Sequence, residues 1–177
     1  HGPGMSNNFL YGAAIAGGSL GFLPHNFPKA RIFMGDIGST TIGFVLAVLT
    51  LLGSRHGRIG GEPVPWVAFV LPLGVFLYDA TFTLFKRILR GENFLKAHRQ
   101  HHYQLLVRCG WSHTKVTALQ MGLMTLCSIG ALLYAAGDDP VRLAVLLLVL
   151  CVFVSYSLLV HRYFRAHHLD APAETTS

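Results

Sequence analysis

The stretch VRLAVLLLVLCVFVSYSLLV, residues 141–160, decides the fold. Arg142 stands at its start, and no charged residue follows before His161. About twenty apolar residues in helix cover the ~30 Å of hydrocarbon in a bilayer. Working outward, four more stretches are long enough, or nearly so, to cross: Asn8–Leu23, Ile37–Leu52, Val64–Phe85 and Val116–Ala136. The first is rich in Gly and Ala (Gly12, Ala13, Ala14, Ala16, Gly17, Gly18), which suits close packing against other helices. The expected fold class is all-α, a polytopic membrane bundle of about five transmembrane helices.

Composition agrees. Of 177 residues, 52% are hydrophobic and 12% charged, about half the charged share of a soluble domain; the mean hydropathy is +0.48. A net charge of +6 would suit nucleic acid in a soluble protein, but in a membrane protein excess Lys and Arg reports loops and lipid phosphates, so no nucleic-acid partner is expected. Cys109, Cys127 and Cys151 form no spacing motif and imply neither a disulfide framework nor a zinc site. The chain opens at His1, with Met5 behind a Gly-Pro-Gly stretch, and is expected to start inside a longer protein. No signal peptide is read there, because the first apolar run lacks a basic flank. Residues 1–168 are expected to form a partial transmembrane domain and residues 169–177 a disordered polar tail.

Loop charge orients the spans. Lys29 and Arg31, then Lys86, Arg87, Arg90, Lys96, Arg99, Arg108 and Lys115, then Arg162 and Arg165 fall on one face, against Arg55, Arg58 and Arg142 on the other. The positive-inside rule makes the first face cytoplasmic.

Three sets of residues on that face carry chemistry. Arg31–Phe44 reads RIFMGDIGSTTIGF, with Asp36 between two glycines where a loop becomes a span. Such an acid is costly unless a metal ion or a cation pairs with it, and Ser39 adds a hydroxyl. The plainer reading is a helix start with Asp36 as N-cap. The loop Ala97–Gln104 carries His98, Arg99, His101 and His102, with His113 beyond. Imidazoles and guanidinium together suit a metal or phosphate oxygens, or the loop lies on anionic headgroups with Phe94, Tyr103 and Trp111 as interface anchors. Asp79 sits two turns inside the third span, either paired within the bundle, with Lys86, Arg87 and Arg90 one to three turns on, or walling an active site. His161, His167 and His168 with Arg162 and Arg165 read as a solvated basic end.

The runs RIFMGDIGSTTIGF, YDATFTLFKRILRGE and AHRQHHYQLLVRCGWSHTKVT together resemble, in order and spacing, the polyprenyl-phosphate N-acetylhexosamine-1-phosphate transferases of glycosyltransferase family 4. The loop is most similar to the O-antigen-initiating branch, related to the phospho-MurNAc-pentapeptide translocase. The resemblance implies transfer of a sugar-1-phosphate from a UDP-N-acetylhexosamine to undecaprenyl phosphate with Mg²⁺, releasing UMP. This reaction starts cell-surface polysaccharides such as lipopolysaccharide at the bacterial inner (cytoplasmic) membrane, among membrane lipids. It implies that Asp36 ligates Mg²⁺ and that His98, His101 and His102 act as catalytic residues at the diphosphate, which of them touches it being left open. Arg99, Ser39 and Asp79 are then substrate-binding. A Mg²⁺–diphosphate complex would bridge Asp36 and the histidine loop.

The family also carries an acidic pair and an Asn/Asp-rich motif in earlier loops, and this chain has neither. It is therefore expected to be the C-terminal half of a ten- or eleven-span enzyme, needing the N-terminal half as its partner and inactive alone. Two other readings compete: a di-iron desaturase or hydroxylase, from His98-x-x-His101-His102, and a non-catalytic membrane scaffold.

Overall fold

A computed structural model describes residues 3–91 and 101–169. The described residues form helices almost throughout: α1 (Pro3–Asn26), α2 (Gly35–His56), α3 (Trp66–Val70), α4 (Gly74–Leu89), α5 (His102–Arg108), α6 (His113–Ala136) and α7 (Asp139–Leu169). Two short antiparallel strands, β1 (Arg58–Ile59) and β2 (Glu62–Pro63), turn through Gly60 and Gly61. Both glycines have positive φ, 61° and 91°, which a tight hairpin needs and a side chain resists.

Four helical segments are long and apolar enough to cross a membrane: Gly35–His56, Trp66–Leu89, His113–Ala136 and Asp139–His167. The protein is an all-α polytopic membrane bundle, as expected. The first expected span is helical over 24 residues, but its Gly, Ser and Asn content keeps it out of that set of four among the described residues. α7 is apolar around its whole circumference. Leu143, Leu146, Leu148 and Leu159 are all exposed on different sides of the helix, as expected where hydrocarbon rather than water is the solvent.

The chain divides into two compact units. In the first, His1–Pro72 and Ser128–Arg142, α2 packs on α1 and on α3. Gly53 permits the second contact, since a Cβ there would lie 2.5 Å from the Phe69 ring. The hairpin is tied to α2 through the Val64 N–H, which donates to the Gly57 carbonyl at 3.0 Å. Pro72 lies in a 3₁₀ turn, Leu71–Leu73, where its missing N–H interrupts the α-helical ladder. The Asp138 carboxylate receives the Val141 N–H at 3.2 Å, an N-cap for α7.

The second unit, Leu73–Cys127 and Leu143–Ser177, holds α4, α5 and parts of α6 and α7. Leu105 and Leu106 of α5 bury against Val116, Tyr156 and Val160, with Trp111 and Phe164 packed alongside. This core seats the short α5, which its seven residues alone could not stabilise.

Candidate functional site

Asp79 is the hub. It projects from α4, and one carboxylate oxygen, Oδ1, receives the His102 backbone N–H at 3.0 Å. The same oxygen receives the His102 ring Nδ1–H. The other, Oδ2, lies 3.3 Å from His101 Nδ1. One carboxylate thus caps the N-terminus of α5, where its charge is favourable, and grips two adjacent imidazoles. Gln104 Oε1 closes the same turn by accepting the His101 N–H at 3.3 Å.

The two histidines differ in setting. His102 is 1% exposed, and its ring packs 5.2 Å from Phe82 and 5.3 Å from Tyr156 between centroids. Its Nε2 lies 2.6 Å from Ser157 Oγ on α7, and Ser157 Oγ is 2.8 Å from the Tyr78 hydroxyl. A carboxylate only accepts, so Nδ1 carries a proton. In the neutral ring, Ser157 then donates to Nε2 and Tyr78 donates to Ser157. His101 is 28% exposed. It lines a cavity of about 550 Å³ with Asp79, Tyr103, Gln120, Phe76 and Met121, within the range of small-ligand sites. Gln120 is held by its amide donating to the Tyr156 hydroxyl at 2.9 Å.

Asp36 lies in the other unit. α2 begins at Gly35, whose φ is +66°, so Asp36 sits inside the first turn and does not cap it, a correction to the plainer sequence reading. The carboxylate is exposed. Ser39 is turned to its own helix, its hydroxyl donating to the Asp36 carbonyl at 3.2 Å. A single exposed carboxylate fits Mg²⁺, which commonly takes one or two carboxylates and completes its shell with phosphate oxygens and water. Among the described residues no three His, Cys, Asp or Glu side chains gather into an all-protein metal cage. His98 and Arg99 lie outside the described residues.

Several contacts escaped the sequence reading. Asp79 pairs with His101 and His102 rather than with the basic cluster at the C-terminal end of α4. His161 is half-buried rather than solvated: its Nδ1–H donates to the Ser157 carbonyl at 2.9 Å, and Lys86 Nζ donates to its Nε2 at 2.9 Å. Ser157, Tyr156 and Tyr78 were legible only as polar breaks in apolar runs.

Comparison with known proteins adds to this geometry. Residues 4–54 match glycosyl transferase family 4. Over that stretch the chain is similar to members of that family. It is 33% identical to a decaprenyl-phosphate N-acetylglucosaminephosphotransferase of Mycobacterium leprae, over 59% of this chain and 28% of the relative. It is 35% identical to a probable undecaprenyl-phosphate N-acetylglucosaminyl 1-phosphate transferase of Bacillus subtilis, over 56% of this chain and 27% of the relative. A phospho-N-acetylmuramoyl-pentapeptide-transferase of a Synechococcus strain is 37% identical over 66% of this chain and 34% of its own length. The chain thus spans about a quarter to a third of the length of these relatives. No solved structure matches it. The desaturase reading loses ground: both ring nitrogens of His102 are engaged by Asp79 and Ser157, leaving it unsuited to ligate iron.

Proposed function

We propose that this chain belongs to an enzyme of glycosyl transferase family 4 that transfers an N-acetylhexosamine-1-phosphate from a UDP-sugar to undecaprenyl phosphate, beginning a cell-surface polysaccharide of the O-antigen type. An acceptor phosphate oxygen attacks the sugar-bearing phosphorus, the bond to the bridging oxygen breaks, and UMP leaves with that oxygen. Such chemistry needs neutralised charge and in-line positioning more than covalent help.

The observation that carries this reading is the Asp79 grip on His101 at the cavity edge. With Nδ1 held by the carboxylate, Asp79 fixes the plane of the His101 ring at the cavity edge, where the ring would meet a phosphoryl oxygen. His102 anchors the N-terminus of α5 and keeps His101 in place. Asp36 would take part in holding Mg²⁺, which when bound would screen the diphosphate charge. Ser39 steadies the turn that presents Asp36. His98 and Arg99 are assigned to the diphosphate by resemblance alone. The loop charges support placing these groups on the cytoplasmic side of the inner membrane.

The test of the metal role is the Mg²⁺ dependence of the full-length enzyme. Asp36→Asn should cut turnover by roughly a hundredfold or more, as expected when a charged transition-state contact is lost. Full activity in that variant would remove Asp36 from the mechanism.

A further inference from the structure

A second cavity, of about 610 Å³, lies between α4 and α7. It shares no lining residue with the His101 cavity. Its walls are apolar, with Tyr78, Phe82 and Phe85 from α4 and Val154 and Leu158 from α7. Its rim is cationic, formed by Lys86, Arg90, Arg162 and Arg165. Val154, Leu158, His161 and Arg165 follow each other at spacings of three and four, so they form one stripe along α7. The apolar part of that stripe lies within the membrane-spanning run Asp139–His167, and the arginines lie at its end.

We propose that this groove binds an anionic glycerophospholipid, its phosphate between Arg162, Arg165 and Arg90 and an acyl chain along Phe82, Phe85 and Leu158. Charge complementarity selects the headgroup, since cations at the end of a membrane helix attract anionic lipid and offer nothing to a zwitterion's ammonium. Burial of the chain along aromatic and leucine side chains selects a lipid over a free anion. Lys86 stays fixed by donating to His161, whose other nitrogen is held by the Ser157 carbonyl. The rim therefore keeps a positive charge in a set position.

The helix geometry separates this lipid from the acceptor of the proposed reaction. Asp79, Phe76 and Ala80 line the first cavity, whereas Tyr78, Phe82, Phe85 and Leu89 line the second. These two sets occupy different faces of α4, so a phosphate seated at Arg162 and Arg165 does not reach the Asp79 cavity. Lipid binding in the groove does not rest on the transferase reading.

The test is native mass spectrometry of the purified full-length protein in detergent, titrated with phosphatidylglycerol or phosphatidylcholine. Phosphatidylglycerol is expected to be retained and phosphatidylcholine lost. The double variant R162Q/R165Q should weaken phosphatidylglycerol binding roughly thirtyfold, at about 1 kcal/mol for each arginine near an anionic headgroup. R162K/R165K should stay within about threefold of wild type, since charge near the surface dominates. That variant guards against a folding defect in the first. Equal retention of the two lipids, or unchanged binding in R162Q/R165Q, overturns the proposal. So does displacement of phosphatidylglycerol by an equal concentration of undecaprenyl phosphate, which would make the groove the acceptor site.

Discussion

Ser157 on α7 and His102 at the start of α5 are joined by a 2.6 Å hydrogen bond in the interior of their unit. Through it, a hydroxyl on one membrane helix settles the orientation of an imidazole that itself rests on Asp79. Ser157→Ala leaves His102 Nε2 and the Tyr78 hydroxyl without this partner. The expected cost is about 1–3 kcal/mol, the usual penalty for a stranded buried polar group. Ser157→Thr keeps the hydroxyl and should lose less. Thermal denaturation of both variants in detergent checks the order; equal stability of Ala and wild type would show the bond to be idle.

Asp79→Ala removes the cap of α5 and the shared partner of two histidines. Backbone amides of His102 and its neighbours should exchange with deuterium faster, while α6 amides change little. Asp79→Asn keeps one acceptor oxygen and should fall between. Hydrogen exchange read by mass spectrometry distinguishes this local loosening from global unfolding.

Gly53 sits where the Phe69 ring leaves no room for a Cβ. Gly53→Val should destabilise by about 1–3 kcal/mol through overpacking. Adding Phe69→Ala should recover part of that loss, whereas independent sites would show additive damage. A double-mutant cycle of denaturation midpoints reads the coupling.

Cys109, between α5 and α6, has its thiol pushed above the usual range by burial, with Arg108 opposing the shift more weakly. A raised pKa means that the reactive thiolate appears only at higher pH. Labelling by iodoacetamide, followed at the Cys109 peptide, should still be climbing at pH 9, about tenfold per unit below the pKa. A plateau near pH 8 would contradict the burial account.

Much of the fold was legible because bilayer physics is written in composition: four apolar runs became four spanning helices with ends shifted by a few residues. α5 was not, since a seven-residue helix is held by the burial of Leu105 and Leu106 and has too little sequence of its own to announce it. At the site, Asp79 and the His101–His102 pair were legible as costly polar residues near a membrane. Their union was not, because 22 positions of chain separate Asp79 from His101 and only packing brings them together. Lys86 and Arg87 looked closer to Asp79 by sequence spacing along one helix. His161 misled for the opposite reason: a basic end reads as solvated, yet the Ser157 carbonyl and Lys86 draw its ring inward.

The central claim is tested most directly by the nucleotide released when the full-length protein, in a bilayer with undecaprenyl phosphate and Mg²⁺, is given UDP-N-acetylglucosamine labelled in the uridine. The account predicts UMP, formed one-for-one with a lipid-linked N-acetylglucosamine diphosphate and sharply reduced in His101→Ala. Release of UDP would mean that the sugar alone is transferred and would contradict it, as would UMP formation at the full rate without the lipid phosphate.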